Sequence, residues 1–132
     1  IGPEFLMAVV STMAADLRAA DHRHRKNPEA QELRNWLDTQ IFAPTPSLDE
    51  MATKISRSRG QTIRIFKSEY GETPVQYLIG RKIEAARELL RGSPVAIKEI
   101  ADKLHFSDEY YFASVFKRKT GIAPGRYRSW KN

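Results

Sequence analysis

Apolar residues along this chain recur at three- and four-residue spacing, in blocks cut by Pro, Gly and Ser. That pattern predicts a series of short amphipathic helices. Residues 6 to about 20 place Leu6, Val9 or Val10, Met13 and Leu17 on one helical stripe. Two readings of the stripe are open: a tail of another domain or self-association helix, or a face packed on its own domain. Asp21–Asn27 is a polar, basic connector. Asn27-Pro28 then offers an N-cap and a Pro at the first helical position, predicting a helix to about Phe42 that buries Leu33, Trp36, Leu37 and Ile41. Ala43-Pro44-Thr45-Pro46 ends it, and the capping box Ser47-x-x-Glu50 opens a helix to about Ile55. After a break at Ser56-Arg57, Ser58 caps a helix that reaches Tyr70 and is closed by Gly71. Thr73-Pro74 opens a long helix to Gly92 whose apolar positions (Tyr77, Leu78, Ile83, Ala86, Leu89, Leu90) cover more than one face. The plan then recurs, with a helix from about Val95 to Leu104, a turn at His105-Phe106, an N-cap at Ser107 or Asp108, and a helix to Thr120 closed by Gly121. A last helix from Pro124 to about Trp130 sets Tyr127 and Trp130 against that unit. The expected fold is all-α, with about seven helices and an N-terminal extension helix.

The recurrence is an internal repeat. Phe66, Lys67, Gly71, Pro74 and Tyr77 return fifty residues later as Phe116, Lys117, Gly121, Pro124 and Tyr127. Upstream, Leu48-Asp49-Glu50-Met51-Ala52-x-x-Ile55 matches Ile97-Lys98-Glu99-Ile100-Ala101-x-x-Leu104 at an offset of forty-nine. Each copy reads as helix, tight connection, helix, and two copies in one basic protein point to paired DNA-reading elements. The expected organisation is a terminal segment and linker over 1–27, a first helix-turn-helix subdomain over 28–72, a linker helix over 73–92 and a second subdomain over 93–132.

Composition narrows the chemistry. Lys and Arg number 22 against 16 Asp and Glu, a formal charge of +6 that favours a polyanionic partner. The absence of cysteine excludes disulfides, thiolate zinc sites and cysteine nucleophiles, and is compatible with a reducing cytoplasm, the expected location. No apolar run approaches the roughly 20 residues of a membrane span. Ile1–Phe5 has the look of a cloning or protease-cleavage junction. His22-x-His24 lacks a third ligand and sits among Arg residues, so it reads as linker, and no metal or other cofactor is expected. Asp108 and Glu109 are adjacent and diverge on a helix, and no Gly-rich phosphate loop or nucleophile elbow is present, so no enzymatic activity is expected.

A linker helix of about 20 residues spans roughly 30 Å. That is close to the roughly 34 Å between successive major-groove faces of a duplex. One monomer can therefore place two reading helices in adjacent turns. Lys82-Ile83-x-x-Ala86-x-x-Leu89-Leu90, Ile97-x-x-Ile100-Ala101, Phe106, Phe112, Phe116-Lys117, Gly121, Pro124 and Tyr127-Arg128 together resemble the DNA-binding domain of AraC/XylS-type bacterial transcription regulators over roughly residues 28 to 130. The resemblance implies two helix-turn-helix units on a rigid linker helix and sequence-specific binding of double-stranded promoter DNA. It also implies RNA polymerase as a partner, and an effector-binding or dimerisation domain in the full-length protein. The chain departs from the family at His105, where Gly is usual before Phe106, at Arg57, where an apolar residue is common, and at Thr62, where Leu is usual. Gly60 weakens its helix by up to about 1 kcal/mol relative to Ala, so the first reading helix is expected to be the less rigid.

The reading surface of the first unit carries Arg59, Gly60, Gln61, Ile63, Arg64 and Lys67. Arg can take guanine bidentately and Gln can take adenine, and matching the family pattern puts Gly60, Ile63 and Arg64 at base-facing positions. The second unit offers Asp108, Glu109, Tyr110 and Ser114, with Lys117 and Lys119 behind. Acidic residues accept from cytosine N4 and a Tyr ring packs on a thymine methyl. For Asp108 the plainer reading is an N-cap. Glu109 is open between base contact and helix capping. Candidates for phosphate contact are Ser58, Lys67, Arg81, Lys98, Lys117, Arg118, Arg126, Arg128 and Lys131. Arg81 has a second reading as a brace between units. The alternative function is a protein-interaction module with vestigial or non-specific nucleic-acid binding.

Overall fold

A computed structural model describes residues 27–131, and among these every regular element is helical. The helices are α1 (Pro28–Leu37), α2 (Leu48–Ile55), α3 (Arg59–Tyr70), α4 (Pro74–Gly92), α5 (Ile97–Lys103), α6 (Glu109–Thr120) and α7 (Pro124–Lys131). A single 3-10 turn, Asp38–Gln40, follows α1. The expected stripe over residues 6–20 and the basic connector lie outside the described residues.

Local chemistry sets most of the boundaries. Asn27 caps α1 by accepting from the backbone N–H groups of Glu29 and Ala30. The α-helix stops at Leu37 rather than near Phe42, because the chain tightens to 3-10 geometry at Asp38. Trp36 is accordingly half-buried while Leu33, Leu37 and Ile41 are buried. Ser47 and Glu50 form the expected capping box at α2. Ser56 then takes left-handed geometry at φ 55° and turns the chain toward α3. Thr73 and Gln76 make a further capping box at the head of α4, with Pro74 at its first position. Gly71 and Gly121 close α3 and α6 at φ 79° and 87°, a left-handed conformation that glycine adopts without steric penalty. At His105 the second unit makes its turn with φ 58° on a non-glycine residue. The helix before that turn is shorter than expected, starting at Ile97.

α1, α2 and α3 pack on one another, and the N-terminal half of α4 closes that unit; α5, α6 and α7 pack with the C-terminal half of α4 in the second. α4 thus serves as last helix of one unit and first helix of the next. The repeated Phe and Tyr explain why the string recurs. The Phe66 ring stands edge-on to Tyr77 at 5.6 Å, and Phe116 stands edge-on to Tyr127 at 5.3 Å. Each pair fastens the second helix of a unit to the helix after it. Phe66, Phe112 and Phe116 are fully buried, so these rings are core and not platforms for nucleic-acid bases. At the position of Phe112 the first unit has Thr62, also fully buried, whose hydroxyl donates to Ser58 O at 2.8 Å. The smaller, self-satisfied polar side chain leaves the first unit with less apolar packing there.

Candidate nucleic-acid interface

In α3, Ser58 Oγ accepts from Gln61 N at 3.2 Å and Gln61 Oε1 accepts from Ser58 N at 3.1 Å. This capping box was legible as Ser-x-x-Gln, although only Ser58 was singled out as a cap. It engages the Gln61 side-chain oxygen, so the amide NH2 is what Gln61 can offer to a base. Gly60, Arg64 and Lys67 are exposed along one stripe at i, i+4 and i+7, with Ile63 half-buried beside them. Arg64 forms no hydrogen bond or ion pair among the described residues. Arg59 is different, since its Nε and a terminal nitrogen bond the two carboxylate oxygens of Asp49 at 2.6 and 2.7 Å. The hydrogen bond from Arg59 holds the Asp49 carboxyl below the usual carboxylate range. Arg57 is paired in the same bidentate way with Glu29, at 2.5 and 2.8 Å, which accounts for a charged residue in the turn: it ties the turn to α1.

In α6 the matching stripe, fifty residues on, is Tyr110, Ser114 and Lys117, all exposed. Tyr110 is 81% exposed, an unusual state for an aromatic side chain with core positions close by. Asp108 is the N-cap, its Oδ1 accepting from Tyr111 N at 2.7 Å. Glu109 is half-buried in the first turn, where its charge complements the positive end of the helix dipole. Tyr111 was not singled out from the sequence, yet it is 46% exposed, with its ring tilted on Phe106 at 5.9 Å. The signal was available: the buried positions Phe112, Val115 and Phe116 leave residue 111 off the apolar stripe.

Two of the phosphate candidates have partners within the fold. Arg81 Nε lies 3.3 Å from Asp38 Oδ1 and its side chain is only 18% exposed, so it braces α4 against the end of α1. Arg128 is spent on backbone, donating to Leu90 O at 3.0 Å, Ser93 O at 3.1 Å and Val95 O at 2.6 Å. It satisfies the Leu90 carbonyl in the last turn of α4, which no helical N–H can reach, and the Ser93 and Val95 carbonyls of the connection to α5. Ser58, Lys67, Lys98, Lys117, Arg118 and Arg126 are exposed.

The middle of α4 holds a buried cation that sequence reasoning placed only within a motif. Lys82 is 1% exposed, and its Nζ donates to Ala43 O at 2.7 Å and Leu104 O at 2.6 Å. Burial pushes its pKa down to about 8. The two carbonyls favour the charged form, the second lying at the C-terminal end of α5 where the helix dipole is negative. Among the described residues no group of three His, Cys, Asp or Glu is placed to hold a metal ion, and no helix is long and apolar enough to cross a membrane. His22 and His24 lie outside the described residues.

Two helix-turn-helix units, each presenting an exposed stripe on its second helix and joined by one shared helix, define a bipartite helix-turn-helix protein. A helix-turn-helix domain model matches residues 51–129. The C-terminal domain of AraT, a response regulator from Geobacillus stearothermophilus, superposes with a TM-score of 0.75 at 26% identity, covering 80% of this chain and 88% of that one. The DNA-binding domain of AdpA, solved in complex with a target DNA, gives 0.71 at 26% identity over 76% of this chain and 90% of that one. The transcriptional regulator MtrA of Neisseria gonorrhoeae is 32% identical over 82 residues, 62% of this chain and 27% of that protein. The chain belongs to the AraC-type helix-turn-helix family, as a DNA-binding module and not an enzyme. It spans about a third or less of the curated relatives it matches.

Proposed function

We propose that this domain binds double-stranded promoter DNA sequence-specifically as a single chain, with α3 and α6 in successive major grooves. The observation that carries the reading is the pair of matched exposed stripes, Gly60, Arg64 and Lys67 in α3 and Tyr110, Ser114 and Lys117 in α6, on the two units that share α4. At 1.5 Å per residue the 19 residues of α4 span about 28 Å, near the roughly 34 Å repeat of the groove. Arg64 is the leading candidate to read a base edge, while Tyr110 and Ser114 supply apolar and hydroxyl contacts. Asp108 acts as cap, and Glu109 stands beside the site as an acceptor. Arg59, Gln61 and Ile63 flank it. Ser58 offers a hydroxyl to a phosphate, while Lys67, Lys98, Lys117, Arg118 and Arg126 neutralise phosphates, and together they fix register. Because the two stripes differ chemically, the target is two unlike boxes rather than a palindrome. Within a full-length regulator we place this module beside an effector-binding or dimerisation domain, acting in the cytoplasm with RNA polymerase.

Selection of sites from random duplex DNA tests the reading. Enrichment of two unlike boxes about one helical turn apart is the expected result, with affinity falling steeply as salt rises. No enrichment, or binding indifferent to salt, would reject it in favour of a protein-interaction module.

A further inference from the structure

We propose that Lys82 is a positioning residue that fixes the placement of α3 relative to α6, and thereby sets the spacing between the two DNA boxes the protein accepts. The inference rests on the bipartite reading above. Most tethers of α4 hold one unit each. Tyr77 and Arg81 both engage Asp38 of the first unit, and Arg128 clamps the C-terminal end of α4 to the start of the second. Lys82 is bonded to both units at once. Ala43, whose carbonyl it holds at 2.7 Å, lies in the loop leading into the first helix-turn-helix. Leu104, whose carbonyl it holds at 2.6 Å, is the residue before the left-handed turn at His105 that launches α6. One buried ammonium therefore draws together the backbone of the first unit and the turn of the second, at the middle of α4. Hydrogen bonds to a charged donor in a site closed to water are short and directional, so the two units are held in one orientation. Without the ammonium, both carbonyls lose this donor, and the units lose this directional link, leaving the non-directional apolar core between them.

The test uses K82M, which keeps length but removes charge and donors, and K82Q, which keeps a donor without charge. Because the chain has no cysteine, spin labels can be placed cleanly at S68C in α3 and K119C in α6, both exposed. The expected result is a narrow inter-label distance with Lys82 and a distribution widened about twofold in K82M. On duplexes whose box separation is varied by single base pairs, the unsubstituted domain should lose about tenfold in affinity per step, the scale of one mismatched pair, and K82M should discriminate far less. Helical content and a melting curve establish that each variant folds. An unaltered distance distribution and spacing profile in a folded variant would overturn the proposal. Failure of both variants to fold would overturn it too, leaving Lys82 a stability residue. Should the unsubstituted domain itself show no two-box preference, the bipartite reading fails and the spacing role with it. The label distances, measured without DNA, still report whether Lys82 orders the units, so the two failures are distinguishable.

Discussion

Arg59 is held by Asp49 through two parallel hydrogen bonds, at 2.6 and 2.7 Å, across the turn of the first helix-turn-helix. The pair is largely exposed, with both side chains 66% accessible, so it contributes little to stability in itself. Its consequence is for binding. A guanidinium already engaged on a carboxylate is a weaker ligand for guanine or phosphate. Asp49→Ala should therefore raise affinity for any duplex and steepen the salt dependence of log K by about one unit, the contribution of one additional phosphate contact. Anisotropy titrations at several salt concentrations measure this. Equal gains in Asp49→Ala and in the Asp49→Ala, Arg59→Ala double variant would mean that the lost acidic charge, and not the released Arg59, is responsible.

Arg64→Ala should weaken binding to the selected site by about 1–3 kcal/mol and relax preference at one or two adjacent base pairs. Loss spread uniformly over specific and random duplex would instead make Arg64 a phosphate contact.

His105→Gly should stabilise the fold. His105 is exposed and left-handed at φ 58°, a conformation costing roughly 1–2 kcal/mol in an L-residue and nothing comparable in glycine. Part of the gain is offset by the extra freedom of glycine in the unfolded chain. The expected net is up to about 1 kcal/mol, or a few degrees in Tm, by thermal or urea unfolding. A fall in Tm would show that the imidazole makes a stabilising contact.

Tyr77 gives the fold an alkaline limit. Burial first, then its hydrogen bond to Asp38, raises its pKa to about 12. Below about pH 10, the ordinary tyrosine value, both folded and unfolded chains keep the proton and the contribution is fully present. Between 10 and 12 the unfolded chain releases it first, so stability falls with pH. The Tyr77 hydroxyl donates to Asp38 Oδ1 at 2.6 Å and accepts from Arg34 Nε at 3.3 Å, so Tyr77→Phe should be less stable than the parent at neutral pH, by about 1 kcal/mol. The gap should close as pH rises toward 12. A gap independent of pH would place the Tyr77 pKa at its ordinary value.

Helices and their ends were legible because they are encoded locally. Ser47, Ser58, Thr73, Gly71 and Gly121 act within four residues of themselves, and the repeat of Phe66 and Tyr77 at Phe116 and Tyr127 marked the two units as equivalent. Where α1 stops was not legible, because Asp38 is drawn to Tyr77 and Arg81 on a helix some forty residues away. The same holds for the cations. Arg64, Arg81 and Arg128 look alike in sequence, yet Arg64 is exposed, Arg81 meets Asp38, and Arg128 meets three carbonyls. Long-range pairing, which spacing does not reveal, separates the exposed Arg64 from the braces.

The sharing of α4 makes the architecture a chain of overlapping links rather than two beads on a string. Unfolding either unit strips a wall from the other, so the protein should melt in one cooperative step, and neither half can be excised along a clean seam. α7 opens with the same Pro-x-x-Tyr as α4, so each unit passes its second helix on to a following helix through the same aromatic joint.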